Sequence, residues 1–366
     1  MDSLRSPSNN LSNIDRNTGH LLHLDFLRIV AIFLVVFNHT GTRGFLLFTV
    51  AQQSPLYGLY SFLSIADKMA VPIFWMISGA LLLNKEEPIS IVLKKRVLRF
   101  AAVLILFSFV QYLFEINFDL HSFSMAYFVK KLYTSKFAEA YWYLYAYLGY
   151  LLSLPFLRKM VRSMENKDFI FMTICVFVIN LLPILEFYWW GTPNVRNSDL
   201  KLFLSGWTFP CAVLGYYFEH RLPTKYFNVK TIVLIGSAAI ASIVLCCVST
   251  YLFCTATGNW AKNGKAFDSI LAPLPAAATY LAAKYLFLRR TPSNGLSKAI
   301  RLVGGTTFGI MLIENLLRKY TEGLYDLLYP YIRSLPACII WVGVVCILGS
   351  IITLILKRVP VLKKLL

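Results

Sequence analysis

Charged residues are scarce in this sequence. Only 15% of the 366 residues are Asp, Glu, Lys or Arg, whereas 57% are hydrophobic and the mean hydropathy is +0.61. A soluble chain of this length would carry about a quarter charged residues in its domains. The composition therefore excludes an ordinary soluble protein and indicates that lipid is the main solvent.

Acidic residues are the scarcest charged type, with 18 Asp and Glu against 36 Lys and Arg, a net charge of +18. Such a surplus is typical of nucleic-acid-binding proteins, of proteins on anionic membrane surfaces and of multi-spanning membrane proteins. The seven cysteines lack metal-ligand spacing, and the sequence contains no internal repeat. Neither a metal site nor a disulfide framework is therefore predicted.

Long apolar runs are abundant instead. The ten runs are 22–39, 60–83, 98–116, 141–157, 169–187, 202–219, 230–253, 268–288, 303–320 and 338–356. Most approach the roughly 20 residues that cross about 30 Å of hydrocarbon as a helix, and none alternates like a barrel strand. The sequence predicts an all-α integral membrane protein, a single bundle of about ten transmembrane helices within residues 21–366. Residues 1–20, polar and rich in Ser and Asn, are predicted to form a disordered cytoplasmic tail.

The basic residues alternate between the two sets of connections. One set, including both termini, carries twenty-four Lys and Arg residues and the other carries nine, so the first set is predicted to face the cytoplasm. Both termini then lie inside, as an even number of spans requires. This alternation differs from the single basic patch of nucleic-acid-binding proteins, and no nucleic-acid partner is expected.

The first apolar run contains two polar side chains on one helix face. His39 follows Arg28 by eleven helical steps, a rotation of about 1100° and a rise of about 16 Å. That rise approximates the reach of a pantetheine arm, so Arg28 would neutralise phosphates of a coenzyme A whose thioester lies near His39. Histidine is the side chain best suited to accept a hydroxyl proton near neutral pH. The alternative is that Arg28 only reaches the interface and His39 marks the outer end of the run.

Other candidate residues have a structural explanation beside the functional one. Arg96 and Arg99 would share one side of a helix and grip a pyrophosphate, although positive-inside anchoring accounts for most such clusters. Ser78 and Gly79 suit either contact with a ligand or close helix packing. Trp142 suits either a stacked sugar or an interfacial aromatic belt.

Three polar positions in the apolar runs favour structural roles. Glu314 precedes Arg318 by four residues, so an ion pair competes with catalysis and Glu314 is not assigned as the base. Asp67 and Lys68 begin the second run near the outer face, where placement at the interface accounts for both. Pro72 frees a carbonyl and is expected to kink this helix.

In combination and in this order, these motifs resemble the acyltransferase-3 family of bacterial membrane proteins. The stretches that carry the resemblance are Leu24-Asp25-Phe26-Leu27-Arg28 with His39, Val71-Pro72-Ile73-Phe74-Trp75-Met76-Ile77-Ser78-Gly79, Arg96-Val97-Leu98-Arg99 and Trp142-Tyr143-Leu144. They are similar to the family's Arg-x10-His, Val-Pro-Phe-Phe-Ser-Gly and Arg-x-x-Arg patterns. Residues 307–313 resemble a further motif, but the histidine usual after it is here Glu314 followed by Asn315. No second-histidine role is therefore carried over.

The resemblance implies a membrane-bound O-acetyltransferase in the bacterial cytoplasmic membrane. Such an enzyme moves an acetyl or short acyl group from cytoplasmic acyl-CoA to a hydroxyl of a cell-surface glycan or lipid-linked sugar. Acetyl-CoA is then a substrate rather than a bound cofactor, and the other partners are the sugar acceptor and membrane lipids. The roles implied are catalytic base for His39, donor binding for Arg28, Arg96 and Arg99, and support for Asp25, Ser78, Trp142 and Glu314.

A transporter or flippase of a glycan precursor is the competing interpretation, although the sequence shows no inverted repeats with paired broken helices.

For the enzyme, the depth of His39 in the membrane matters. His39 lies fifteen residues beyond Leu24, about 22 Å into a hydrocarbon core of roughly 30 Å. The donor is therefore expected to thread inward and the acceptor to approach from the outer side, and both direct transfer and an acyl-histidine relay fit this geometry.

Overall fold

The computed structural model describes residues 21–197, 206–290 and 292–366, and every regular element within these ranges is helical. The helices are α1 (Leu22–Asn38), α2 (Leu47–Val50), α3 (Tyr57–Asp67), α4 (Ala70–Leu82), α5 (Ile89–Ile91), α6 (Leu98–Glu115), α7 (Met125–Thr134), α8 (Trp142–Ser163), α9 (Asn166–Trp190), α10 (Thr208–His220), α11 (Val229–Thr257), α12 (Trp260–Asn263), α13 (Pro273–Arg289), α14 (Asn294–Gly304), α15 (Thr307–Ile332), α16 (Ser334–Leu356) and α17 (Pro360–Leu365). The predicted tail, residues 1–20, and the first residues of the run 202–219 lie outside the described ranges.

The helices follow the predicted apolar runs and in places extend beyond them. α8 continues to Ser163 and α15 to Ile332, past the predicted ends of their runs. By length and composition, five helical segments of the described chain suit a membrane span, and a sixth is added if α14 and α15, bent by 57°, count as one. α1 and α13 have 17 residues each and α10 has 13, so they fall short of such a length. The number of ten spans and the cytoplasmic position of both termini stay predictions.

The outer helices present large apolar side chains outward. Phe171 on α9 is 69% exposed and Leu234 on α11 is 71% exposed. Water would disfavour such a surface, whereas lipid chains solvate it without cost. The central helices differ, because about two thirds of the apolar segment formed by α3 and α4 is buried inside the protein.

The second apolar run is interrupted where its proline predicts a kink. α3 ends at Asp67 and α4 begins at Ala70, with Pro72 in the first turn of α4. Proline has no N–H to donate to the carbonyl four residues earlier, that of Lys68, so the α-helical ladder is broken at that point. The helix is interrupted at this point, while the kink itself stays a prediction. Asp67 at the end of α3 contacts Asn38 at the end of α1.

Two glycines bring α4 and α10 into backbone contact. A Cβ atom on Gly79 would lie 1.7 Å from the carbonyl oxygen of Ala212, and one on Gly215 would lie 1.9 Å from that of Met76. Neither position has room for any side chain, so the predicted close approach at Gly79 is confirmed.

α1 is the central helix of the bundle, because it packs against α4, α13, α14, α15 and α16. Gly304 at the end of α14 lies against Asp25, where a Cβ atom would come within 2.7 Å of the Asp25 Cβ atom. The polar residues of α1 are therefore surrounded by protein, which is where a membrane helix can carry them.

Candidate active site

A cavity of about 380 Å³ collects the predicted donor-binding residues, and we call it the arginine cavity. Its lining includes Arg28 from α1 together with Arg96 and Arg99, and Lys95 adds a fourth cation. Ser78 of α4 also lines it, while its hydroxyl donates to the Phe74 carbonyl at 2.8 Å. No carboxylate belongs to the lining that the structure describes, so the cavity is electropositive and suits an anion.

A π-helical segment, Val92–Val97, leads into α6 and carries two of these cations, Lys95 and Arg96. Such wide turns are rare, and they are found most often near functional sites. Arg99 follows one turn later in α6 and faces the same cavity, which places the predicted pair Arg96 and Arg99 together.

Each of the three arginines is already held by this chain. Asp25 forms an ion pair with Arg28 one turn along α1. Glu87 accepts two hydrogen bonds from Arg96, at 2.8 Å from Nε and 2.5 Å from Nη2. Arg99 donates to the backbone carbonyl of Leu365 in α17 at 3.1 Å. Fixed guanidinium groups lose less side-chain entropy when a ligand binds, so these contacts preorganise the cavity.

Glu87 lies outside the apolar segments, in the connection before α5, and joins two helices. Besides Arg96 it accepts a hydrogen bond from the Arg158 Nη2 atom of α8 at 2.9 Å. The Arg96 hydrogen bonds, helped by those of Arg158, lower the pKa of Glu87 to about 2. The carboxylate is therefore ionised at neutral pH and compensates part of the positive charge beside the cavity.

Aromatic rings also line the arginine cavity. Phe100 packs against Tyr147 with ring centroids 4.7 Å apart and stacks on Phe308 at 5.4 Å. Tyr143 stacks on Tyr147 at 5.5 Å, and all four rings line the cavity. Cations and flat aromatic rings in one lining suit a ligand with phosphates and a heterocyclic base.

A second cavity, of about 200 Å³, contains the predicted base, and we call it the histidine cavity. His39 lines it at the C-terminal end of α1, and Asn38, Asp67 and Lys68 line it from nearby backbone positions. Trp142, at the start of α8 and 38% exposed, completes its polar and aromatic surroundings.

Glu314 holds His39 in position. The Oε1 atom of Glu314 lies 3.0 Å from His39 Nδ1, and its Oε2 atom accepts from Arg318 Nε at 2.6 Å. An ionised carboxylate only accepts hydrogen bonds, so Nδ1 is the donor in this contact and Glu314 leaves Nε2 unengaged. Arg318 also donates to the His39 carbonyl at 2.6 Å, which satisfies a backbone group at the end of α1. The predicted ion pair between Glu314 and Arg318 is confirmed, and it has a second function in orienting the imidazole.

The two cavities share a wall. Phe74 of α4, Tyr143 of α8 and Met311 of α15 line both of them. On α15, Phe308 borders the arginine cavity, Met311 borders both and Glu314 reaches His39, so successive turns of one face follow the site from end to end. The predicted 16 Å between Arg28 and His39 therefore bridges two adjoining chambers.

The structure thus brings the eight predicted site residues into one connected region. The arginine cavity is lined by Arg28, Ser78, Arg96 and Arg99. The histidine cavity is lined by His39 and Trp142. The remaining two each hold one of these side chains, because Asp25 pairs with Arg28 and Glu314 contacts His39. Their chemical roles stay predictions.

Two residues of this region were missed or misread from sequence. Asp67, predicted to have only a structural place near the outer face, is 1% exposed and lines the histidine cavity. The signal was present, because an acidic residue within an apolar run is costly unless it has a use. Glu87 gave no such signal, since it lies in a polar connection and meets Arg96 only through the fold.

In the described parts of the chain, no group of three or more His, Cys, Asp or Glu residues could hold a metal ion. Apolar helices surround a cation-lined cavity and an adjoining cavity with a carboxylate-bound histidine, which defines a membrane protein with a polar site inside its helices. The family described as an acyltransferase domain, acyltransferase-3, has a model that matches residues 21–356. The chain belongs to this family and is a membrane acyltransferase. No curated protein and no solved structure matches it.

Proposed function

We propose that the protein is an acyl-CoA-dependent O-acyltransferase of the bacterial cytoplasmic membrane. It takes an acetyl or short acyl group from cytoplasmic acyl-CoA and transfers it to a hydroxyl of a cell-surface glycan or lipid-linked sugar. The observation that carries the proposal is the shared wall, because an oriented imidazole lies directly beyond a chamber lined by four cations.

The donor occupies the arginine cavity in this proposal. Arg28, Arg96 and Arg99 bind the phosphates of the coenzyme, and the ring of Tyr147 lies where a base could stack. The pantetheine arm extends along α1, and the thioester reaches the wall formed by Phe74, Tyr143 and Met311. Ten spans with both termini in the cytoplasm would place the basic mouth of this cavity on the side where acyl-CoA is made.

His39 is the general base. Its Nε2 atom accepts the proton of the acceptor hydroxyl while the hydroxyl oxygen attacks the thioester carbonyl. The carbon–sulfur bond breaks, the coenzyme leaves as a thiolate, and the imidazolium returns the proton to that sulfur. The buried carboxylate of Glu314 stabilises the imidazolium between these two transfers, at 3.0 Å from Nδ1. Holding both reactants in adjoining chambers supplies the proximity that such a transfer needs.

The test uses protein purified in detergent, labelled acetyl-CoA and the lipid-linked glycan fraction of the expressing cells. We expect labelled glycan to form without a sealed membrane, and His39→Ala to reduce its formation at least a hundredfold. Arg96→Ala should chiefly raise the KM for acetyl-CoA. Near-normal transfer by His39→Ala would overturn the assignment of the base. Activity that requires closed vesicles would indicate a transporter instead.

A further inference from the structure

The histidine cavity contains a buried carboxylate with unused hydrogen-bonding capacity. Asp67, the last residue of α3, is 1% exposed and lines this cavity with His39. Its Oδ2 atom accepts from the Asn38 amide nitrogen at 2.8 Å, whereas its Oδ1 atom has no hydrogen-bond partner among the residues that the structure describes. Asn38 is the neighbour of His39 in the chain, so the carboxylate is connected directly to the backbone that presents the base.

The cation next to this carboxyl group forms its ion pair elsewhere. Lys68 adjoins it in sequence, but the Lys68 Nζ atom pairs with Asp268 at 3.0 Å and lies 4.5 Å from the centre of the Phe45 ring. Asp67 makes no ion pair within the described residues. An unpartnered oxygen on a buried acidic group is costly, and a ligand hydroxyl in the cavity would give it the missing hydrogen bond.

The chemistry of the cavity selects its ligand. A carboxyl oxygen accepts hydrogen bonds from hydroxyl groups, which suits a sugar, whereas the four cations of the arginine cavity suit phosphates. The cavity also has about half the volume of the arginine cavity, 200 Å³ against 380 Å³. The exposed ring of Trp142 adds a flat apolar face on which the C–H face of a sugar ring can pack.

We propose that Asp67, held by Asn38, is the subsite that binds the acceptor sugar through hydroxyl groups of its ring. Oδ1 accepts a hydrogen bond from a hydroxyl next to the one that reacts, Trp142 covers one face of the ring, and the reacting hydroxyl points at His39. This assignment rests on the proposed function, in which His39 activates that hydroxyl. Asp67 is a binding residue, and it determines which ring position meets the base.

The experiment measures sugar binding apart from acyl transfer. Full-length protein is purified in a detergent without a sugar headgroup, and binding of methyl glucoside, methyl mannoside and methyl N-acetylglucosaminide is followed by saturation-transfer NMR. Labelled acetyl-CoA binding is measured on the same samples. We expect the wild type to bind at least one hexoside, Asp67→Asn to weaken that binding tenfold or more, and acetyl-CoA affinity to stay within twofold.

Glu186→Gln is the matched control. Glu186 on α9 is 5% exposed, pairs with Arg196 at 3.2 Å and also has an unpartnered oxygen, but it lies outside the histidine cavity. It should leave hexoside binding unchanged. If Asp67→Asn fails to fold, Asn38→Ser still tests the subsite, because loosening the hold on the carboxylate should weaken hexoside binding severalfold.

The outcomes separate this inference from the proposed function. Saturable hexoside binding that Asp67→Asn leaves intact, or that Glu186→Gln weakens equally, overturns the subsite, and so does a wild type that binds none of the three hexosides. Hexoside binding that depends on Asp67, in a protein without acetyl transfer, supports the subsite while it overturns the transferase. Acetyl transfer whose KM for the acceptor is unchanged in Asp67→Asn overturns the subsite alone.

Discussion

Replacing Glu314 by glutamine tests whether the buried carboxylate serves His39 as well as Arg318. The carboxylate is fully buried and accepts from two donors, His39 Nδ1 at 3.0 Å and Arg318 Nε at 2.6 Å. The amide that replaces it has one acceptor oxygen for two donors, and its NH₂ group faces a donor. One contact is therefore lost, and the guanidinium is left without its counter-ion.

Two effects of Glu314→Gln can be given magnitudes. Removing one member of a buried ion pair costs about 3–5 kcal/mol, and the lower end applies because Arg318 retains 14% exposure of its side chain. Loss of the group that fixes the imidazole tautomer and stabilises its charged form should reduce kcat by about 10²–10⁴. The KM for acetyl-CoA should change little, because Glu314 does not line the arginine cavity.

A second variant separates the two effects. Combining Glu314→Gln with Arg318→Met removes the orphaned charge, so most of the lost stability should return while kcat stays low. Stability is followed by thermal unfolding in detergent, and kcat by transfer of labelled acetyl groups to the glycan fraction. If the double variant regains wild-type kcat together with its stability, Glu314 is only a counter-ion to Arg318 and the orienting role is refuted.

Two further predictions address the scaffold. Gly79→Ala should destabilise the protein by at least 1–3 kcal/mol because its Cβ would meet the Ala212 carbonyl oxygen at 1.7 Å. Gly149→Ala, on α8 with no atom within 4 Å of its Cβ, should be neutral or stabilising, and equal melting temperatures for the two variants would contradict the backbone contact. Glu87 has its pKa lowered to about 2 by Arg96 and Arg158, so its contribution is complete above the unfolded pKa near 4.5 and is lost as the pH falls toward 2. Wild-type stability should therefore decline more steeply over that pH range than that of Glu87→Gln, and parallel acid-unfolding curves would count against the pairing.

The length of the apolar runs and the helical spacing of the motifs predict most of the fold that can be predicted from this sequence. The apolar runs identify the helices because a membrane leaves the backbone few alternatives to internal hydrogen bonding. Motif spacing likewise identified Arg28 and His39, since eleven residues of regular helix fix their relative position. The break before Pro72 followed from the missing N–H of that residue.

Contacts between distant segments could not be predicted in this way. Glu87, in the connection before α5, meets Arg96 of the π segment Val92–Val97 nine residues later. Asp67 meets Asn38 because the break after α3 directs its last residue to the end of α1. The spacing from Glu314 to Arg318 predicted their pairing, but His39 joins them from 275 residues away. Local sequence patterns do not predict contacts between residues that are far apart in the chain. The residues that complete the site are brought together by such contacts.

The partition made by Phe74, Tyr143 and Met311 has a thermodynamic consequence. A ring or thioether that rotates away from one occupant must move toward the other, so the two chambers cannot be filled independently. If binding of the first ligand changes the affinity for the second by some factor, binding of the second changes the affinity for the first by the same factor. This follows because the free energies around the binding cycle sum to zero. Cooperativity between the two substrates would thus arise from three side chains, without any movement of the helices that carry them.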